Sequence, residues 1–187
     1  MNTNQLPIIS IVTPSYNQGS YLEETILSVL EQGYPALEFF IFDGGSTDGS
    51  LDIIQKHQDR LTFWESKPDR GQSHAINKGF RMASGEIVAW LNSDDLLAPG
   101  ALKVVAQAWQ QNPGVGLITG QTEIIDQAGK PTGNVFGSEP NVINSLLSSE
   151  NPVSQPSTFF STSALKEVGF LDETLHMSMD WDLWLRI

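Results

Sequence analysis

Apolar runs alternate with amphipathic stretches along the first two thirds of the chain. Residues 8–13 (IISIVT) form a short continuous apolar run, which predicts a buried strand. Residues 21–32 follow with Ile26, Leu27 and Leu30 at helical spacing. Residues 38–43 (EFFIFD) predict a second strand, and 51–58 a short helix started by Ser46 or Thr47. Residues 61–65 (LTFWE) predict a third strand, 72–82 a helix and 86–92 (EIVAWLN) a fourth strand. Residues 101–111 predict a helix stopped by Asn112-Pro113-Gly114. Strands separated by helices of this length imply βαβ units and a parallel sheet, a regime that holds to about residue 122.

Beyond that point the pattern changes. Residues 122–135 read as a polar hairpin with residues 127–130 in its turn. Residues 141–149 predict a short helix, 157–161 a strand and 163–168 a helix. Residues 180–187 begin another helix, in which Trp181, Trp184 and Leu185 form an apolar stripe still running at the chain end. With no stop signal there, the expectation is a piece of a longer protein.

The 187 residues correspond to one domain by the usual prior of about 100–200 residues per domain. With 40% hydrophobic residues, such a chain folds on a core rather than on staples. The absence of Cys excludes a disulfide scaffold, a thiolate metal site and a Cys nucleophile. Ten Lys and Arg against 22 Asp and Glu give a formal charge of -12, which argues against nucleic acid as a partner. No apolar run approaches the roughly 18 residues of a membrane span, and the first ten residues lack the layout of a signal peptide. A cytoplasmic domain is expected, with peripheral association at the inner face of the membrane left open.

In open α/β sheets, ligands bind beyond the carboxyl ends of the strands. The first strand is followed by Thr13-Pro14-Ser15-Tyr16-Asn17 and the second by DGGSTDGS at 43–50. The third is followed by Lys67-Pro68-Asp69-Arg70-Gly71 and the fourth by Asn92-Ser93-Asp94-Asp95. Four polar loops therefore converge on one edge, carrying an aromatic ring, several carboxylates, a base and glycines. Neither a dinucleotide fingerprint, a P-loop nor a nucleophile elbow occurs, and His57, His74 and His176 lack zinc spacing. Adjacent carboxylates at the end of a buried strand repel one another. A hard divalent cation with oxygen ligands would relieve that repulsion. Taken alone, Asp95 could instead cap a helix near Ala98 and Pro99.

The chain resembles the family 2 glycosyltransferases of GT-A fold. The resemblance rests on TPSYN at 13–17, YLEETILSVLEQ at 21–32, DGGSTDGS at 43–50 and DRGQSHAINKG at 69–79, followed by SDD at 93–95, QPSTFF at 155–160 and DWDLWLR at 180–186. It implies a Rossmann-like, mostly parallel central sheet flanked by helices, with a smaller mixed acceptor-side region. Residues 1–97 would be the nucleotide-sugar half, and 98–187 the acceptor half, incomplete at its C-terminus.

The implied activity is an inverting, metal-dependent, hexosyltransferase-like transfer from a nucleoside diphosphate sugar, by family a UDP-sugar. The acceptor would be a hydroxyl on a carbohydrate or lipid-linked molecule, in cell-surface polysaccharide or glycoconjugate synthesis. Carried over by motif, Thr13, Pro14 and Tyr16 would line the base pocket, with Tyr16 stacking on the base and Asp43 hydrogen-bonding its edge, and Arg70 would approach the base or diphosphate. Asp94 meets the ribose and metal region, and Asp95 ligates Mn²⁺ or Mg²⁺. By the same resemblance Asp180 would be the catalytic base, with Met179 where many members carry an acid. The rival Asp182 lies about 200° around the helix. The alternative is a non-catalytic module that binds a nucleotide sugar or glycan.

Overall fold

The computed structural model describes residues 6–137 and 153–187. Its strands are β1 (Ile9–Ser15), β2 (Leu37–Asp43), β3 (Phe63–Ser66), β4 (Ile87–Trp90), β5 (Leu117–Thr119), β6 (Thr122–Ile125), β7 (Pro131–Phe136) and β8 (Thr158–Ser161). Its helices are α1 (Leu22–Leu30), α2 (Ser50–His57), α3 (Gln72–Met82), α4 (Ala101–Gln111), α5 (Thr162–Val168) and α6 (Met179–Arg186). The helix expected at 141–149 lies outside the described residues.

Six strands form one sheet in the order β3-β2-β1-β4-β8-β5. The first four are parallel, as the alternation of strands and helices predicts. β8 then runs antiparallel to both β4 and β5, which makes that end of the sheet mixed. β6 and β7 form a separate hairpin, closed where Asp126 N donates to the Lys130 carbonyl at 2.9 Å.

Side chains alternate across the pleat, so each strand feeds two apolar layers. Ile9, Ile11, Phe39, Ile41 and Leu91 pack beneath Leu22 and Ile26 of α1, Ile54 of α2 and Leu102 of α4. Val12, Phe40, Phe42, Val88 and Trp90 face Ile76 and Phe80 of α3, Leu165 of α5 and Leu183 and Trp184 of α6. In this second layer Trp90, Phe160 and Trp184 stack on one another with centroids 5.2–5.8 Å apart. That is the favoured spacing of aromatic pairs. α3 can lie so close to β1 because of Gly79, where a Cβ would fall 2.5 Å from Val12 Cγ1.

Layers on both faces leave the carboxyl edge of β1, β2, β3 and β4 to the loops. α2 begins at Ser50 behind Gly49, whose φ of 95° few side chains tolerate, rather than at Ser46 or Thr47. No helix among the described residues is long and apolar enough to cross a membrane.

Candidate active site

The loops after β1 and β2 are laced together. Asn17 adopts a left-handed φ of 53°, a region that Asn tolerates better than most residues. Its backbone N–H donates to Ser46 Oγ at 2.8 Å, and its side-chain oxygen accepts from Thr47 N at 2.9 Å. Gly19 N donates to Asp48 Oδ2 at 2.8 Å.

Asp43, 2% exposed, organises the second loop. Its Oδ2 accepts from Gly45 N (3.0 Å), Ser46 N (2.9 Å) and Ser66 Oγ of β3 (2.7 Å), and its Oδ1 accepts from Ser46 Oγ. The carboxylate therefore meets the loop's own donors. Thr13 is fully buried, its hydroxyl without a hydrogen-bond partner among the described residues, and Pro14 is buried beside it. Tyr16 by contrast is 64% exposed. A Cβ on Gly44 would stand 3.2 Å from Tyr16 Cδ2 and 3.3 Å from Asp69 Oδ2. The first three loops thus meet around an open aromatic ring, with a glycine giving it room.

Arg70 belongs to the third loop and is paired across the molecule. Its Nη2 donates to Glu173 Oε2 at 2.5 Å. Glu173 Oε1 also accepts from Asn77 Nδ2 at 3.1 Å, and Arg81 lies 3.8 Å away. The Arg70 hydrogen bond holds the Glu173 carboxyl below the usual range. Asn77 clamps Leu171 as well, accepting from its N–H and donating to its carbonyl. The segment leading to α6 is so fastened to α3.

After β4, Asp94 is exposed and Asp95 half-buried. Burial, with the Asp94 charge beside it, pushes the Asp95 carboxyl up to about 6, against the opposing hydrogen bond from Asn92. Asn92 Nδ2 donates to Asp95 Oδ2 at 3.1 Å, and Oδ1 accepts no protein hydrogen bond among the described residues. Asp95 caps no helix, since α4 starts at Ala101 behind Gly100.

No cluster of three or more His, Cys, Asp or Glu side chains forms among the described residues. Among the described residues, Asp94 and Asp95 thus offer two adjacent carboxylates, of which only Asp95 Oδ2 accepts a protein hydrogen bond. That donor set fits a hard cation whose remaining ligands are water and substrate phosphates. Beside Asp94 a cleft is lined by Tyr21, Glu24, Leu96 and the β6–β7 turn at Asp126, Gln127 and Gly129.

Asp180 sits in the first turn of α6 and has no protein hydrogen-bond partner among the described residues. Met179 before it is buried, its sulfur accepting from Ser73 Oγ of α3 at 2.6 Å. Asp182 faces elsewhere and binds Arg186. Sequence reasoning did not single out Asn92, Gln155 or Glu173. Asn92 stands in the loop after the fourth strand and Gln155 in QPSTFF, but partners 63 residues apart leave no local signal.

The family model for glycosyl transferase family 2 matches residues 10–169. The poly-beta-1,6-N-acetyl-D-glucosamine synthase of Staphylococcus epidermidis is 31% identical over 97% of this chain and 47% of its own length. The putative teichuronic acid biosynthesis glycosyltransferase TuaG of Bacillus subtilis is 42% identical over 50% of this chain and 38% of its own. Among solved structures, S. aureus TarS 1-349 in complex with UDP-GlcNAc superposes with a TM-score of 0.74 at 21% identity, over 96% of this chain and 52% of that one. The mannosyltransferase PcManGT of Pyrobaculum calidifontis, in complex with GDP-Man and Mn²⁺, gives 0.67 at 22% identity, over 92% and 50%. The fold is GT-A, and the chain spans about half the length of the curated relatives it matches.

Proposed function

The chain belongs to glycosyl transferase family 2, and we propose that it carries the donor site and the base of a glycosyltransferase. The enzyme moves a sugar from a UDP-sugar to a hydroxyl acceptor in cell-surface polysaccharide or glycoconjugate synthesis, with inversion at the anomeric carbon. The observation that carries this reading is the half-buried Asp95 beside Asp94, its Oδ1 unpartnered among the described residues, at the sheet edge where the loops of β1, β2 and β3 meet around Tyr16.

Tyr16 offers its exposed ring for stacking on the base. Asp43 shapes that pocket by fixing the DGGS backbone, and Thr13 and Pro14 form its buried floor. Arg70 stands at the third loop, where an exposed guanidinium can reach a diphosphate. Asp94 would meet the ribose, and Asp95, with Asp94, would hold Mn²⁺ or Mg²⁺. When bound, that cation offsets the charge gathered by the departing diphosphate. Asp180 takes the acceptor proton as the new bond forms, a contribution worth roughly 10²–10⁴-fold. A chain with net charge -12 makes the cation necessary, since an acidic cluster alone repels the donor.

Calorimetry of UDP binding with and without Mn²⁺ tests the reading in the wild type and in Asp95→Ala. The metal-dependent part of the affinity is expected to vanish in the mutant. Unchanged Mn²⁺ dependence would overturn the assignment. Donor binding with neither transfer nor hydrolysis by the complete protein would instead support a binding module.

A further inference from the structure

Three side chains, Gln72, Asn92 and Gln155, are linked by hydrogen bonds to one another and to Asp95. Gln72 Nε2 donates to Asn92 Oδ1 at 2.7 Å. Asn92 Nδ2 donates to Asp95 Oδ2 at 3.1 Å and to Gln155 Oε1 at 2.8 Å. Gln155 Nε2 donates to the Trp90 carbonyl at 2.8 Å.

The two ends of the chain of bonds force the direction of every link. A backbone carbonyl can only accept, so Gln155 must turn its NH₂ to Trp90 and its oxygen to Asn92. An ionised carboxylate also only accepts, so Asn92 must spend both amide hydrogens, one on Gln155 and one on Asp95. Its oxygen is then left for Gln72. A flip of the Asn92 amide would set its oxygen against two acceptors and its nitrogen against a donor. The side chain is fixed at three points.

We propose that Asn92 is a positioning residue for the Asp95 carboxylate, oriented in turn by Gln155 and Gln72, so that Oδ2 is held and Oδ1 stays open to a divalent cation. The inference rests on the metal-binding reading given above. It assigns a task to the glutamine of QPSTFF: Gln155 lies just before β8, in the acceptor-side half, and braces a group in the donor-side half. Without the brace, Asp95 can rotate away from Asp94, whose charge repels it. The cation then has to reassemble the pair before it binds. Losing a partner that orients a metal ligand typically costs about 10–100-fold in metal affinity.

The test is Mn²⁺ affinity in the presence of UDP, followed by electron paramagnetic resonance, with UDP affinity in EDTA and the melting temperature measured alongside. Asn92→Ala is expected to weaken Mn²⁺ by about 10–100-fold. Gln155→Leu should weaken it several-fold, and the double mutant should match Asn92→Ala, because Gln155 acts through Asn92. Metal-free UDP affinity should stay unchanged in all three, which a general loosening of the loop would not allow.

Wild-type Mn²⁺ affinity in Gln155→Leu, while Asp95→Ala loses it, would overturn the proposal and leave the metal site standing. So would losses that simply add in the double mutant. Unchanged affinity in Asp95→Ala would overturn the metal site itself and the positioning role with it. Should Asn92→Ala fail to fold, Gln155→Leu and Gln72→Leu decide the matter by the same criterion.

Discussion

Asp182 and Arg186 stand one turn apart on α6, and Arg186 Nε and Nη2 both donate to Asp182 Oδ2, at 3.0 and 2.8 Å. The same guanidinium donates to the carbonyls of Val168 (2.8 Å), Gly169 (3.1 Å) and Phe170 (3.0 Å). Those groups close the end of α5, where carbonyls otherwise lack partners. Asp182 thereby orients an arginine that ties α6 to the end of α5, a structural task on a different helical face from Asp180.

Arg186→Ala should therefore destabilise the chain by about 1–3 kcal/mol, since hydrogen bonds from a charged donor to several carbonyls are lost together. Asp182→Asn breaks only a partly exposed ion pair and should cost less than about 1 kcal/mol. Thermal melts of the two variants check the ranking. Equal melting temperatures for Arg186→Ala and wild type would show that the cap contributes nothing.

Local pattern was enough for the parallel half of the fold. Helix bounds at Gln72–Met82 and Ala101–Gln111 follow from apolar spacing and a Pro-Gly stop, and they stand in the structure unchanged. β5 escaped because it has three half-buried residues and is defined by pairing with β8, about 40 residues later in the chain. α2 lies where the apolar spacing predicts it, but Gly49 rather than Ser46 or Thr47 precedes it: Ser46 already serves Asp43 and Asn17, and Asp48 serves Gly19 and Ser50. At the site, the sequence pointed to Tyr16, Arg70, Asp94, Asp95 and Asp180. It could not reveal that Arg70 is paired with Glu173, 103 residues away, or that Asp43 is enclosed by its own loop.

Asp95 sets a pH dependence whose sign can be worked out. Its carboxyl lies at about 6 in the folded chain, above the roughly 3.9 of an unfolded Asp. Between those values the folded chain keeps a proton that the unfolded chain has lost. Metal-free stability from this group is therefore present at low pH and falls as pH rises through about 6. Asp95→Asn should remove that loss and raise stability at pH 7 by on the order of 1–3 kcal/mol in EDTA. The check is the difference in melting temperature between mutant and wild type at pH 5 and pH 7.5. It subtracts the opposite trend of groups held low, such as Glu38 and Glu173. A difference that does not grow with pH would refute the assignment.

Asp43 and Tyr16 should fail in different ways. Asp43→Ala leaves Gly45 N, Ser46 N and Ser66 Oγ without their acceptor. It should lower the melting temperature and weaken every nucleotide alike. Tyr16→Ala removes an exposed ring, leaves the fold intact and should cost about 1–3 kcal/mol of nucleotide binding, as for other base-stacking aromatics. Melting curves and titrations with UDP, GDP and ADP separate the two. Unaltered UDP binding by Tyr16→Ala would remove the ring from the pocket.

Glu173 neutralises the guanidinium that the donor reading assigns to the diphosphate. Arg70 is largely exposed, with 69% of its side chain open to solvent, while Glu173 is half-buried and keeps its Asn77 hydrogen bond, so the ion pair itself adds little to stability. Glu173→Gln should therefore scarcely change the melting temperature. It should tighten UDP binding several-fold at low salt, and the gain should fade as ionic strength rises. Arg70→Ala should weaken UDP binding and abolish the gain. If Glu173→Gln binds UDP no better than wild type at low salt, Arg70 does not leave Glu173 for the diphosphate.

Asp180 carries the sharpest prediction about chemistry. It occupies the first turn of α6 without a side-chain partner among the described residues, whereas Asp182 is committed to Arg186. The buried Met179 sulfur, accepting from Ser73, seats that turn against α3, so replacing Asp180 should not disturb the fold. Asp180→Asn keeps size and most hydrogen bonding but cannot accept a proton at neutral pH. In the complete enzyme it should leave donor dissociation constants unchanged and lower transfer by roughly 10²–10⁴-fold. Asp182→Asn should reduce transfer far less, in line with its effect on stability. Rates and donor affinities of both variants measured side by side settle the roles. Near wild-type transfer by Asp180→Asn together with a large loss in Asp182→Asn would reverse them. Full activity in both would place the base on another residue.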